Sequence, residues 1–447
     1  MNTPRTLSML VIVSMICVCF IGCGEDTIIQ EQPKNSDSTA IFRNAFTAPE
    51  ECATCHPKHF NEWQISMHAY AMKDPVFHAL DSIGQLRSNN RLNQFCRECH
   101  SPIGSLGGET PIGYNPSMIS KLAAHGISCD VCHSMKSPNP GSNIPTFRTD
   151  KVKQGSIPNP IANSFHTSEY VPKYGTSEIC EPCHMVTSQN GIVVEETYKE
   201  WKQSVYPARP VSCQECHMHY TDAPAAVGGP IRKVHEHKMI GVDIPLTDDF
   251  PGREETIKAV DSLLRFSSKY SIFTPDSVPK NSSFKVRATV YNSTTGHNLP
   301  SGTIYERQLW IEMVAINKEN GDIIYQSGTL DGNGDLRNHH SEYVKKGLLA
   351  KDDDLTIFNG IAKKHGKEID FFWEADAIEN RTIPPFESRS GLYSIPSLNT
   401  KGTIIIISRL KFRSLPPYLL RKIGHASLVN KLVIFTMDET RKEISVH

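Results

Sequence analysis

Cys52-Ala53-Thr54-Cys55-His56, Cys96-Arg97-Glu98-Cys99-His100, Cys129-Asp130-Val131-Cys132-His133, Cys180-Glu181-Pro182-Cys183-His184 and Cys213-Gln214-Glu215-Cys216-His217 are five copies of one pattern, Cys-x-x-Cys-His. At this composition a random order yields ~0.02 such pentapeptides per chain, so the repetition reads as the attachment signature of haem c. Two thiols at i and i+3 reach the two vinyl-derived carbons on one porphyrin edge. The His after the second Cys is thereby set under the iron as proximal ligand. Zinc also takes Cys and His, but it does not require an adjacent His five times over.

Of the 13 cysteines, only Cys17, Cys19 and Cys23 stand outside these motifs, so none is left for a structural disulfide in the body of the chain. Those three sit in or just after an N-terminal apolar run, Leu7 to Ile21, preceded by Arg5. The run is shorter than the ~20 residues that span a bilayer and reads as a signal-peptide core. Phe20-Ile21-Gly22-Cys23 resembles a lipobox with Cys23 as the lipidated residue. The expected organisation is therefore a leader over 1–22, a polar tether over 23–44 and a pentahaem segment over 45–245. A helical connector over 246–274 and a β-sandwich over 275–447 follow. The fold class is α+β: helices and loops wrapped on haems, then an antiparallel sandwich. Lys plus Arg (47) balance Asp plus Glu (48), so no basic excess points to nucleic acid. The expected partners are redox proteins, with the membrane reached through a lipid anchor on the periplasmic side of the outer membrane or at the cell surface. The sequence sets no oligomeric state.

Phe60-Asn61-Glu62-Trp63-Gln64-Ile65-Ser66 is echoed by Tyr198-Lys199-Glu200-Trp201-Lys202-Gln203-Ser204, a duplicated helix whose first copy leads to His68 and whose second has Tyr206 at the matching place. Further on, helical patterns cover Glu254 to Phe266 and Tyr418 to Ile423. Ser283 to Tyr291 alternates apolar and polar, the mark of a half-buried strand. Leu309 to Ile316 and Asp322 to Gln326 flank a hairpin turn. Thr403 to Ser408 and Leu432 to Met437 read as buried strands.

The distal ligands must come from the remaining histidines. His68 follows His56 by twelve residues, ~18 Å along a helix, so it faces another motif's iron. His125, His166 and His237 (ahead of His235) are the next candidates. His297, in the Gly296-His297-Asn298-Leu299-Pro300 loop, reads either as a turn His that bonds backbone or as the fifth candidate, donated by the β-region. His59 and His219 read as surface residues, and His78 as surface or structural. Asp331-Gly332-Asn333-Gly334-Asp335 loosely fits a calcium loop, but Leu336 occupies the position needing Gly, so a polar turn is the preferred reading.

His56-Pro57 through Glu62-Trp63-x-x-Ser66-x-His68-Ala69, Ser177-Glu178-Ile179 and Thr197-Tyr198-x-Glu200-Trp201 resemble the cytochrome c-554-like multihaem family over roughly residues 50–243. The resemblance implies electron transfer, largely bis-His haems in close contact, and one five-coordinate haem as an option within the family. Gly296-His297-x-x-Pro300 and Glu306-Arg307-Gln308-Leu309-Trp310 resemble a β-domain appended to some multihaem cytochromes. Electron transfer ranks ahead of a reductase acting on a small oxyanion or nitrogen compound at an open haem, and of an electron-wiring accessory subunit. No motif carries Lys in place of its His, as the catalytic haem of pentahaem nitrite reductases does.

Overall fold

The computed structural model describes residues 42, 44–136 and 145–447. The expected leader, the lipidation residue Cys23 and most of the tether lie outside the described residues. Up to residue 245 the helices other than Pro75–Arg87 are short, and each attachment motif sits on or beside a short one: Pro49–Ala53, Arg97–His100, Cys129–His133, Glu181–His184 and Cys213–His217. One turn suffices, because 3.6 residues per turn bring i, i+3 and i+4 to one face. Proline opens several helices in this region, including Pro49–Ala53, Pro57–Trp63 and Pro75–Arg87; a first-turn residue has no intrahelical use for its N–H. Side-chain cores here are small. One joins Phe46, Ile103, Val131 and Phe147, another Trp63, Ala69, Tyr70 and Phe250.

The helix Arg253–Ser267 buries Thr256, Val260, Leu264 and Ser267, a single stripe at helical spacing. Strand Ser268–Phe273 follows it directly and pairs antiparallel with Ser283–Asn292, which pairs with Ser388–Pro396. The sheets of the C-terminal region thus begin at Ser268, inside the stretch expected as a helical connector. The larger sheet runs Ile323–Ser327, Gln308–Asn317, Gly402–Arg413, Phe435–Val446, Ser277–Val278, with Ile357–Phe358 also on Gln308–Asn317. It is antiparallel except for the last pair on that path. Val286, Ala288 and Val290 from one sheet share an apolar cluster with Ile311, Met313, Ile404 and Ile406 from the other.

The alternation of Ser283–Asn292, the hairpin at 317–322 and the helix Pro417–Lys422 follow the sequence pattern. The last strand does not. Leu432 was expected to open it, yet the strand starts at Phe435. The Leu432 amide bonds Val429 O and the Lys431 carbonyl accepts from Arg253 at 2.7 Å, so these backbone groups are satisfied outside the ladder.

Both copies of the duplicated helix form, as Pro57–Trp63 and Thr197–Gln203. Their Glu carboxylates do the same work. Glu62 Oε2 accepts the His237 amide at 3.0 Å, and Glu200 Oε2 accepts the Asn298 amide at 3.0 Å and the Ser301 hydroxyl at 2.6 Å. Both Trp indoles donate to a carbonyl, Trp63 to Ile127 and Trp201 to Val211. The second copy ties the β-region to the motif segment, together with a bidentate pair from Arg307 to Asp243 at 2.5 and 2.8 Å. Replacing Glu200 with Ala strands the Asn298 amide and should cost ~1–3 kcal/mol. Hydrogen exchange should show faster exchange at Asn298, with a lower unfolding midpoint; an unchanged amide would refute the clamp.

Candidate haem-attachment sites

None of the ten motif cysteines is paired in a disulfide. Thiols from different motifs meet: Cys52 with Cys129, Cys99 with Cys183, and Cys180 with Cys213. The fourth motif is therefore in contact with the second and the fifth.

The motif histidines are met by other histidines. Ring centroids are 6.3 Å apart for His56 and His166, 6.4 Å for His184 and His68, 6.2 Å for His133 and His237, and 6.3 Å for His217 and His297. A nitrogen bound at ~2.0–2.1 Å, the usual metal–imidazole length, puts the ring centre about 3.1 Å from the metal. Two imidazoles on opposite sides of one metal thus have centroids about 6.3 Å apart. Four pairs meet that requirement. His59 is also 6.4 Å from His56, but it lies three residues along the same helix, a rise of only ~4.5 Å, too short a path around a macrocycle.

A ligand imidazole must be neutral, with its free nitrogen aimed at the metal and its other N–H held. Nδ1 of His56 faces Ala225 O at 2.6 Å, of His133 Gln154 O at 2.6 Å, of His217 Ile240 O at 2.5 Å and of His100 Ala71 O at 3.4 Å. On the facing rings, His237 Nδ1 is 3.0 Å from His235 O and His297 Nδ1 2.9 Å from Asn298 O. His68 Nδ1 is 3.4 Å from the Met239 sulfur, and His166 Nδ1 is 3.2 Å from the Ser168 hydroxyl. Each Nδ1 thus has a neighbour, which leaves Nε2 for a metal. Burial pushes His68, His100 and His297 down to about 4, and lowers His133, His217 and His237 as well, so these rings are neutral at pH 7. His184 differs. Its Nδ1 is 2.8 Å from Glu195 Oε1, and that carboxylate raises it to about 9.

His297 owes its place to its neighbours. A Cβ on Gly296 would stand 2.6 Å from Tyr206 Cδ2 and 3.0 Å from Trp201 Cδ1, so only glycine lets the loop lie this close. The Tyr206 hydroxyl donates to Thr294 O at 2.7 Å. Tyr206 stands where the first copy of the duplicated helix leads to His68.

His125 faces no motif histidine. It caps the helix Lys121–Ala124, with Nε2 3.0 Å from Glu50 Oε1 and its ring against Trp63. All 19 histidines are among the described residues, and none is paired at this spacing with His100, whose ring instead stacks on Phe77 at 4.0 Å. His59, expected at the surface, is largely buried with its ring 4.4 Å from His237. His235 stacks on Tyr220, and His78 bonds Met72 O and Tyr114. The calcium-like loop is closed by protein donors. Asp331 accepts from the amides of Asn333 and Asp335 and from Ser341, and Asp335 pairs with Arg421. His339 and His340 share Glu368, and His340 is further fixed on Tyr418. Sequence reasoning missed Glu195; nothing in its spacing from His184 announces the contact.

No curated protein matches the chain. Among solved structures it is similar to the C-terminal domain of wzt at 9 % identity, covering 40 % of this chain and 74 % of that one with a TM-score of 0.20. It is also similar to a CARDB domain in complex with di-metal ions from Pyrococcus furiosus, at 10 % identity, 40 % and 89 % coverage and a TM-score of 0.17. Scores this low carry no argument about the fold. Residues 51–134, which hold the first three attachment motifs, match the family model described as cytochrome c554 and c-prime, and this supports a c-type cytochrome that carries electrons on covalently bound haem c.

Proposed function

We propose that the chain is a pentahaem electron-transfer cytochrome, with one haem c held at each attachment motif. The observation that carries this reading is the set of four facing imidazole pairs at 6.2–6.4 Å, each pairing a motif histidine with one from elsewhere in the chain. The small side-chain cores of the motif segment support it, since haem would supply the missing apolar bulk. When bound, haem c supplies one-electron chemistry at iron. The chain's part is to hold the thiols, present imidazole nitrogens with Nδ1 held by a neighbour and keep neighbouring sites in contact. The thiol contacts between motifs support closely packed haems. His166, His68, His237 and His297 are the proposed distal ligands of the sites at His56, His184, His133 and His217. His125 is not among them.

The site at His100 has no facing histidine, which favours a second reading at that site: an iron open to a small molecule, as a reductase of an oxyanion or nitrogen compound needs. The expected setting is the periplasmic side of the outer membrane or the cell surface. Cys23 would be lipidated there, and redox proteins or an extracellular acceptor would serve as partners.

Pyridine-haemochrome quantitation with intact mass should find five thioether-bound haems; four or fewer in matured protein would overturn the count. EPR should show one high-spin iron in the wild type and two in His297→Ala, with one potential shifted. A His297→Ala spectrum identical to wild type would remove the β-region from the ligand set. Cys23→Ser should abolish incorporation of labelled fatty acid, and equal labelling of both proteins would exclude the lipobox.

A further inference from the structure

We propose that Glu195 gives the haem held by His184 the most negative potential of the four bis-histidine sites, at the motif whose thiols touch those of the second and fifth. This rests on the haem assignment above. Four of the five motif histidines turn Nδ1 to a backbone carbonyl; His184 alone turns it to a carboxylate, at 2.8 Å. A carbonyl only polarises the N–H, whereas a carboxylate draws its proton further and leaves the ring a stronger electron donor. The added negative charge close to the iron also favours the ferric state over the ferrous one. Both effects lower the potential.

The carboxylate is built in rather than incidental. Glu195 ends strand Val193–Glu195, whose partner strand starts at Val186, and Glu195 pairs directly with Val186, two residues past His184. The Thr197 hydroxyl donates to the same oxygen, Oε1, at 3.1 Å. Arg307, the cation near enough to influence Glu195, is committed to Asp243 through two bonds. Placement adds weight, because thiols of this motif touch those of the second and fifth motifs. A low potential here makes the branch the site least occupied by electrons at equilibrium, with reducing equivalents resting on the outer sites.

Spectroelectrochemical titration of holoprotein, with haem counted on the same sample, tests this. Glu195→Gln should keep five haems and the wild-type number of low-spin signals. It should move the most negative bis-histidine potential upward and leave the other four in place. Glu195→Asp, which retains the charge, should lie between Gln and wild type. Full haem content with unmoved potentials in Glu195→Gln overturns the role of Glu195. A wild type without haem at Cys180 and Cys183, read by peptide mass, overturns the haem reading instead. Should Gln not load haem, Thr197→Val, which removes the hydroxyl aiming the carboxylate, must move the same potential upward by a smaller amount; no movement refutes the proposal.

Discussion

An imidazole can offer Nε2 to a metal only while Nδ1 keeps its proton, and a buried N–H needs a partner. Much of the motif segment follows from that requirement. The acceptors for His56, His133 and His217 lie 169, 21 and 23 residues away in sequence. Segments such as 225 and 240 must therefore run beside motifs they are distant from in the chain, with their carbonyls turned inward. Long irregular connections suit that task better than long helices do, because a helix uses its own carbonyls internally. The one-turn helices are as much regular structure as the attachment geometry needs.

The duplicated helix extends the same economy. Glu62 and Glu200 occupy matching positions, and each accepts a backbone amide at or next to a histidine that faces a motif, His237 in one case and the neighbour of His297 in the other. What differs is the residue five places after Trp. The first copy leads to His68, which faces His184 itself; the second has Tyr206, whose hydroxyl fixes the loop bearing His297. On the proposed assignment the second copy supplies no ligand of its own, and its Tyr206 instead holds the loop that bears His297. Gly296 is the packing condition for that arrangement.

How much of this the sequence discloses depends on whether the determinant is a side chain or a carbonyl. The five motifs and the strand alternation at Phe284, Val286, Ala288 and Val290 are side-chain patterns, and they are legible. His68, His166, His237 and His297 could be named as candidates because histidine is distinctive, yet their pairing could not, since it depends on which loops meet. His125 shows the limit. It precedes the third motif closely enough to look like a ligand, but its ring ends a helix and turns to Glu50. The late start of the last strand is similar, decided by an Arg253 contact to a carbonyl that any residue would supply. Glu195 was invisible because its contact comes from strand pairing, and no spacing rule links it to His184.

On the proposed ligand set the β-region is part of the electron-carrying unit and not an appendage. Thr197, Glu200 and Tyr206 each bond the 294–302 loop, and Arg307, which stands just before the strand Gln308–Asn317, is bound to Asp243 of the motif segment. If His297 closes the fifth site, removing the sheets would open that iron and strip the second Glu clamp of its amide in one step. The extensive apolar core between the sheets then serves a local purpose. It gives a loop-rich segment, which has little side-chain core of its own, a rigid edge against which one histidine can be held.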